Sequence, residues 1–253
     1  MRYGRVVNVA IAVSTAVVIA VGGMMLGSKK VHADDSDTDQ NLAAIGMQVA
    51  PPFIKAAGKD PTLVGLGSFL VNVAVDCNGC HVSDAANEYL PTNNPFFLPP
   101  NRFPFGATQA QFNPATYMAG GQNFGPVGPG TVSDPDSPLF AGPGLGPAII
   151  TRNLTPDKSG NPAGGIDLPT FMTILRTGHD MDKLHLNCGG KVTDNCYSAP
   201  VDGSLLQVMP WNKFRFMTNY QLTAIWTYLS TVPCNPHNDD LGNSFPWLQN
   251  TCQ

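Results

Sequence analysis

The stretch DCNGCH, Asp76 to His81, sets two cysteines two residues apart and follows the second with a histidine. Three chemistries use a C-x-x-C pair: a redox dithiol, half of a zinc site, or the attachment of a heme. A thioredoxin-type dithiol sits at a strand-to-helix turn inside a βαβ unit, and no βαβ pattern surrounds this motif. Structural zinc calls for a second ligand pair at similar spacing. The other cysteines stand at 188, 196, 234 and 252, and Cys188 and Cys196, in a turn-rich stretch, match that spacing poorly. A heme accounts for all three motif residues together. Thiols one helical turn apart add to the two vinyl groups of the porphyrin, and the adjacent imidazole reaches the iron. One such motif implies one covalently bound heme c, held by Cys77, Cys80 and His81.

Upstream, DPTLVGLGSFLVNVAV reads as a helix running into the motif. Asp60 is its expected N-cap, Pro61 takes the first helical position, and Leu63, Leu66, Leu70 and Val73 recur at helical spacing. Gly65 and Gly67 weaken that helix intrinsically, so a close packing contact is the expected compensation. Before it, Asp34–Gln40 reads as a polar leader.

Residues 1–33 have the form of an export signal: Arg2 and Arg5, an uncharged apolar run from Val6 to Leu26, and small or aliphatic residues at Val31 and Ala33. The run is also about long enough to span a bilayer, so cleavage before Asp34 and retention as an N-terminal anchor both stay open. Either outcome takes the remainder out of the cytoplasm, to the periplasm or an equivalent space. Losing Arg2, Arg5, Lys29 and Lys30 leaves 14 − 4 = 10 basic against 18 acidic side chains, a formal charge of −8. That balance excludes a basic nucleic-acid footprint. It suits solubility first, and a basic docking patch on a partner second. The roughly 220 residues from 34 to 253 suit one domain.

Between about 91 and 147 the chain is dense in Pro and Gly with Phe96, Phe97, Phe103, Phe105, Phe112 and Phe124 interspersed, which reads as an ordered, irregular insertion. A short helix follows, capped by Asp167 and ended by Gly178, with Phe171, Ile174 and Leu175 on one face. The clearest helix is TNYQLTAIWTYLSTVP, where Thr218 and Gln221 form a capping box and Pro233 stops the run. Leu222, Ile225, Trp226 and Leu229 make its apolar stripe. The tail from about 233 to 253 reads as coil. Three or four short helices, no convincing strand ladder and much ordered coil define a mostly α protein. Four cysteines outside the motif allow three disulfide connectivities, and proximity favours Cys188 with Cys196 and Cys234 with Cys252.

Taken together, GSFLVNVAVDCNGCH, RNLTPD, FMTILRTGHD and VMPWNKFRFMTNYQLTAIWTYLSTVP resemble a monoheme c-type cytochrome. The likeness is to bacterial cytochromes with Asn-Leu-Thr-Pro-Asp and Arg-Thr-Gly motifs, including cytochrome subunits of some membrane-bound alcohol dehydrogenases, and covers roughly residues 62–81 and 150–233. The resemblance implies an N-terminal helix crossing a C-terminal helix beside one heme, with Gly67 and Phe69 against the Trp226/Tyr228 turn. The long Pro/Gly-rich insertion, with its disulfide-stapled loops, departs from the minimal fold. Arg176 and the Asn153–Asp157 segment are then expected near the heme propionates; Arg176 alternatively complements its own helix C-terminus. Asn153-Leu154-Thr155 also spells a glycosylation triplet, a pattern common by chance.

His81 supplies one axial bond, and the second decides the chemistry. A thioether saturates the iron and raises its potential, giving an electron carrier; an open position admits a ligand or peroxide. Met118 reads as core or ligand, Met172 as core, Met181 as part of a polar turn and Met217 as packing near the helix cap. Met209, on an extended segment that Pro210 stiffens, stands where the resemblance places the axial methionine. His179 and His185 are the rivals for bis-histidine ligation, with a surface role as the plainer reading. The expected function is electron transfer between redox protein partners, such as a dehydrogenase or terminal oxidase, without enzymatic activity of its own. A fixed subunit of a dehydrogenase complex and a heme enzyme or sensor with an open site are the alternatives.

Overall fold

At Gly67 the backbones of two helices meet: a Cβ there would lie 2.0 Å from the Ala224 carbonyl oxygen and 2.5 Å from the Tyr228 Cβ. The computed structural model describes residues 35–96, 111–126, 148–179, 186–187, 196–197, 202–236 and 249–252. Its helices are α1 (Asp35–Val49), α2 (Pro61–Phe69), α3 (Cys77–His81), α4 (Pro162–Gly165), α5 (Leu168–Thr177), α6 (Trp211–Phe214) and α7 (Asn219–Leu229). Strands are few. β1 (Asn123–Pro126) pairs antiparallel with β2 (Ala148–Ile150), and β3 (Leu186–Asn187) pairs parallel with β4 (Cys196–Tyr197). The described residues are therefore helix-rich, with two short ribbons that the sequence reading does not anticipate. The leader at 1–33, together with Met181, His185, Cys188 and His237, lies outside the described residues. No helix among those described is long and apolar enough to cross a membrane.

The glycines of α2 serve two crossings on opposite sides of one helix. Gly65 lies against α1, where a Cβ would stand 2.3 Å from the Ala43 carbonyl oxygen. Gly46 of α1 reciprocates, since its Cβ would stand 1.8 Å from the Gly65 oxygen. Gly67 faces α7 as described. The helix α1 itself replaces the expected polar leader. Its apolar signal is thin because Ala43 and Gly46 make the contact rather than a bulky stripe.

The caps follow the sequence. Asp60 accepts from the Thr62 and Leu63 amides at 2.8 and 3.2 Å, and Asp167 accepts from Thr170 at 2.9 Å. Gly178 ends α5 at φ 75°, and Thr218 with Gln221 closes the full capping box of α7. The apolar stripe of α2 departs from expectation at its end. After Phe69 the helix widens into a π-helical turn, Leu70–Ala74, in which the Val75 amide reaches back to Leu70 at 3.0 Å. That slip by one residue buries Val71 and leaves Val73 50% exposed. The helix then breaks at Asp76, in left-handed conformation at φ 54°, before α3 begins.

A polar cluster locks the crossing. The Tyr117 hydroxyl meets the Tyr228 hydroxyl at 2.7 Å and donates to Asn72 Oδ1 at 2.5 Å. Asn72 donates in turn to the Tyr228 hydroxyl at 3.0 Å and to Ser68 Oγ at 3.1 Å, and Ser68 donates to the Gly46 carbonyl at 2.7 Å. Burial pushes the Tyr228 phenol up to about 12 and the Tyr117 phenol well above its usual range, so both keep the protons these bonds need. Tyr117 and Met118, both from the Pro/Gly-rich region, are completely buried in the core. Phe112 of the same region stacks between Tyr89 and Tyr117 at ring separations of 5.2 and 4.9 Å. Phe96 meets the Tyr89 ring edge-on at 6.1 Å yet stays 82% exposed.

Gly67→Ala is expected to destabilise the protein by about 1–3 kcal/mol in urea unfolding, because backbone atoms of α7 cannot yield locally. The gain of about 1 kcal/mol in helix propensity goes the other way. An unchanged or raised unfolding midpoint would show that α2 and α7 do not depend on backbone contact there.

Candidate functional site

Asp76 starts the site. Its left-handed backbone turns the chain sharply, and its carboxylate accepts from the Gly79 amide at 3.2 Å, which caps α3. The resulting single helical turn carries Cys77, Cys80 and His81. Both cysteines are free thiols; Cys80 is exposed and Cys77 partly so. Desolvation, reinforced by the nearby Asp76 carboxylate, raises both thiols, Cys77 to about 12. Among the described residues, no group of three or more His, Cys, Asp or Glu side chains is placed to hold a metal ion.

His81 is 8% exposed, and its Nδ1 lies 2.7 Å from the Arg152 carbonyl oxygen. A carbonyl only accepts, so Nδ1 carries the hydrogen and Nε2 keeps the lone pair. Burial lowers the imidazole to about 4, opposed by that hydrogen bond, and holds it neutral near pH 7. A neutral imidazole fixed in one tautomer is the form that ligates iron.

Residues 116–122 strap α3 in place. The Gly120 amide donates to the His81 carbonyl at 2.7 Å and the Met118 amide donates to Asn78 Oδ1 at 2.9 Å. Gln122 Nε2 donates to the Gly79 carbonyl at 3.0 Å, and Asn78 Nδ2 donates to Glu88 at 3.0 Å. Asn78, one of the two variable residues of the motif, is thereby completely buried. None of these partnerships was legible in the sequence, since the strap follows the motif by some forty residues of irregular chain.

Cys77, Cys80 and His81 line a cleft of about 1310 Å³ of atom-free space, part of it open to solvent. Its walls are mainly apolar, with Ile149, Ile150, Phe171, Leu175, Leu206 and Phe214 among them. Met209 also lines the cleft, and it is the only methionine to do so among the described residues. Met118 belongs to the core, and Met172 and Met217 pack against it, as Met209 also does.

The chain presents Met209 between two tight turns. The Met209 amide donates to Gln207 at 2.7 Å across Val208, and the Trp211 amide donates to Met209 at 2.8 Å across Pro210. Val208 stands at φ 65°, a rare conformation for a β-branched residue, and such strain recurs where a ligand loop must hold one shape. Behind the loop, the Trp211 indole lies flat on Gly178, where a Cβ would fall 2.3 Å from two ring carbons. The Leu206 amide donates to Gly178 at 2.7 Å, tying the end of α5 to the loop. His179 lines the cleft as well, from an exposed position bridged to Leu205.

The two groups that the resemblance places near the propionates part here: Leu154 of the Asn153–Asp157 segment lines the cleft, and Arg176 is not among its lining residues. The guanidinium of Arg176 is taken by the Arg215 carbonyl and by Asn219 Oδ1 at 2.9 Å, so it clamps the α6–α7 junction rather than facing the cleft. Asn153 and Thr155 are completely buried and bind the C-terminal tail. Asn153 donates to the Asn235 carbonyl at 2.9 Å, and Thr155 accepts from Asn250 at 2.8 Å, so the triplet offers no glycan site at the surface. The bonded pair Cys234–Cys252 closes that tail, as proximity suggested. The cation that does line the cleft is Arg152, directly before Asn153, the one Lys or Arg among the lining residues. The sequence offered a signal for it only in its position beside the NLTPD motif. Comparison with protein-family models, with curated proteins and with solved structures finds no match.

Gly178→Ala is expected to cost more than about 2 kcal/mol, since a Cβ meets the indole and the left-handed backbone disfavours alanine. The same variant should shift the tryptophan emission. Unaltered stability and emission would mean that Trp211 does not rest on Gly178.

Proposed function

We propose that the chain is an exported monoheme c-type cytochrome that carries single electrons between redox protein partners. The observation that carries this reading is convergence. Two protonated, unpaired thiols, a buried neutral imidazole and one thioether line a single apolar cleft. Those four side chains fit a heme c. Cys77 and Cys80 would hold the porphyrin edge through thioether bonds, His81 Nε2 would be the proximal ligand and Met209 Sδ the distal one. Bound there, the group supplies a one-electron iron couple.

The chain's own residues supply the rest. The Arg152 carbonyl orients the His81 ring, and Arg152 is among the residues that line the cleft. The mainly apolar walls would lower the polarity around the iron, which would favour the less charged ferrous state. The paired turns around Val208 and Pro210 hold Met209 at a fixed station, and a saturated iron leaves no position for a substrate. Phe124 and Val208, 42% and 46% exposed on the cleft's lining, give a partner an apolar rim close to the cofactor. An extracytoplasmic site agrees with the leader sequence and with the Cys234–Cys252 disulfide, a bond that persists under oxidising conditions.

The test is the red-region absorption spectrum of the purified ferric protein beside Met209→Ala. The weak sulfur-to-iron charge-transfer band is expected in the wild type and not in the variant, with a high-spin spectrum replacing it. A high-spin wild type without that band would overturn the carrier reading and point to ligand binding or peroxide chemistry instead.

A further inference from the structure

We infer that Gly120 sets the strength of the bond between His81 and iron, by fixing where the Arg152 carbonyl meets the imidazole. The inference rests on the heme reading above and adds a positioning residue that touches neither iron nor porphyrin. Gly120 engages His81 twice. Its amide donates to the His81 carbonyl at 2.7 Å, and its Cα face lies flat against the peptide whose oxygen accepts from His81 Nδ1 at 2.7 Å. A Cβ at Gly120 would fall 2.4 Å from the Arg152 carbonyl carbon and 2.5 Å from both its oxygen and the Asn153 nitrogen. All three are backbone atoms, which cannot rotate aside as a side-chain tip would.

The strap holding Gly120 there is registered against residue 151. The Gly121 amide donates to the Thr151 carbonyl at 2.8 Å, the Thr151 amide to the Gln122 carbonyl at 3.0 Å, and the Gln122 amide to Thr151 Oγ1 at 3.0 Å. The left-handed backbone of Gly120, φ 70°, closes the geometry. Any side chain at 120 therefore either moves the Arg152 carbonyl off the imidazole or lifts the strap from α3. Donation from Nδ1–H makes the ligating nitrogen more basic, which favours the ferric state. Weakening it moves the couple toward the ferrous state.

The experiment is a redox titration of the full-length, heme-loaded protein, its Gly120→Ala variant and Thr151→Val. The valine keeps the shape of threonine and removes the acceptor that holds Gln122. Gly120→Ala is expected to shift the ferrous-to-ferric ratio at fixed ambient potential about tenfold toward ferrous, or ~59 mV for a one-electron couple. Thr151→Val is expected to move it less, with the same sign. The His81 Nδ1 proton resonance of the ferrous protein should move upfield in both, a readout that loss of stability alone does not produce. If Gly120→Ala does not fold, Thr151→Val decides. Heme-loaded variants with an unchanged or lowered potential would overturn the role of Gly120 and leave the cytochrome reading intact. A wild type that binds no heme would instead overturn the cytochrome reading.

Discussion

The absence of a side chain at Gly67 is the constraint on which the remainder of the fold depends. It lets α2 meet α7 backbone to backbone, while Gly65 and Gly46 let α1 do the same on the far side. Helices that approach so closely have little room for sliding, because the atoms in contact are main chain. Their relative position then sets where the π-helical turn ends and where Asp76 bends the chain. The hydroxyls of Tyr117 and Tyr228 complete the crossing by satisfying Asn72, so the side-chain polar groups of this cluster find partners in one another. A buried donor or acceptor left single would cost roughly 1–3 kcal/mol.

From that crossing the site is assembled in three pieces. The α2 end delivers Cys77, Cys80 and His81. The Tyr117–Gln122 strap grips α3 through Asn78, Gly79 and His81. The third piece joins the α5 end to the methionine loop through Gly178, with the indole of Trp211 beneath and Leu206 alongside. On the proposed cytochrome reading, the pieces would serve different requirements of a covalent redox cofactor: tethering, orientation of the proximal ring, and a second ligand on a stiff loop. The closed tail adds stability more than chemistry. A bond spanning the 18-residue separation between Cys234 and Cys252 is worth on the order of 3 kcal/mol against the unfolded chain.

Much of this was legible because it is local. Caps at Asp60, Asp167 and Thr218, the Gly178 terminus and the stripe of α7 are written in residues three or four apart, and each forms as expected. The need for close contact at Gly65 and Gly67 was also readable, since two glycines in a helix call for a compensating partner. What escaped was non-local or irregular. The helix α1 packs by small residues and so carries little apolar periodicity. The π-helical turn that exposes Val73 has no local signature. The resemblance implied Arg176 and the Asn153–Asp157 segment beside the cofactor; Leu154 of that segment lines the cleft, whereas Arg176 is held at the α6–α7 junction. Arg152 and the strap were missed because their relation to His81 depends on contacts across more than thirty residues of chain.

The central claim is that Cys77 and Cys80 carry a heme, and the intact mass of the exported protein under denaturing conditions tests it most directly. The account predicts the mass of the chain plus one heme, with the addition mapping to the peptide that contains both cysteines. The chain mass alone, with Cys77 and Cys80 free or bonded to each other, would contradict it.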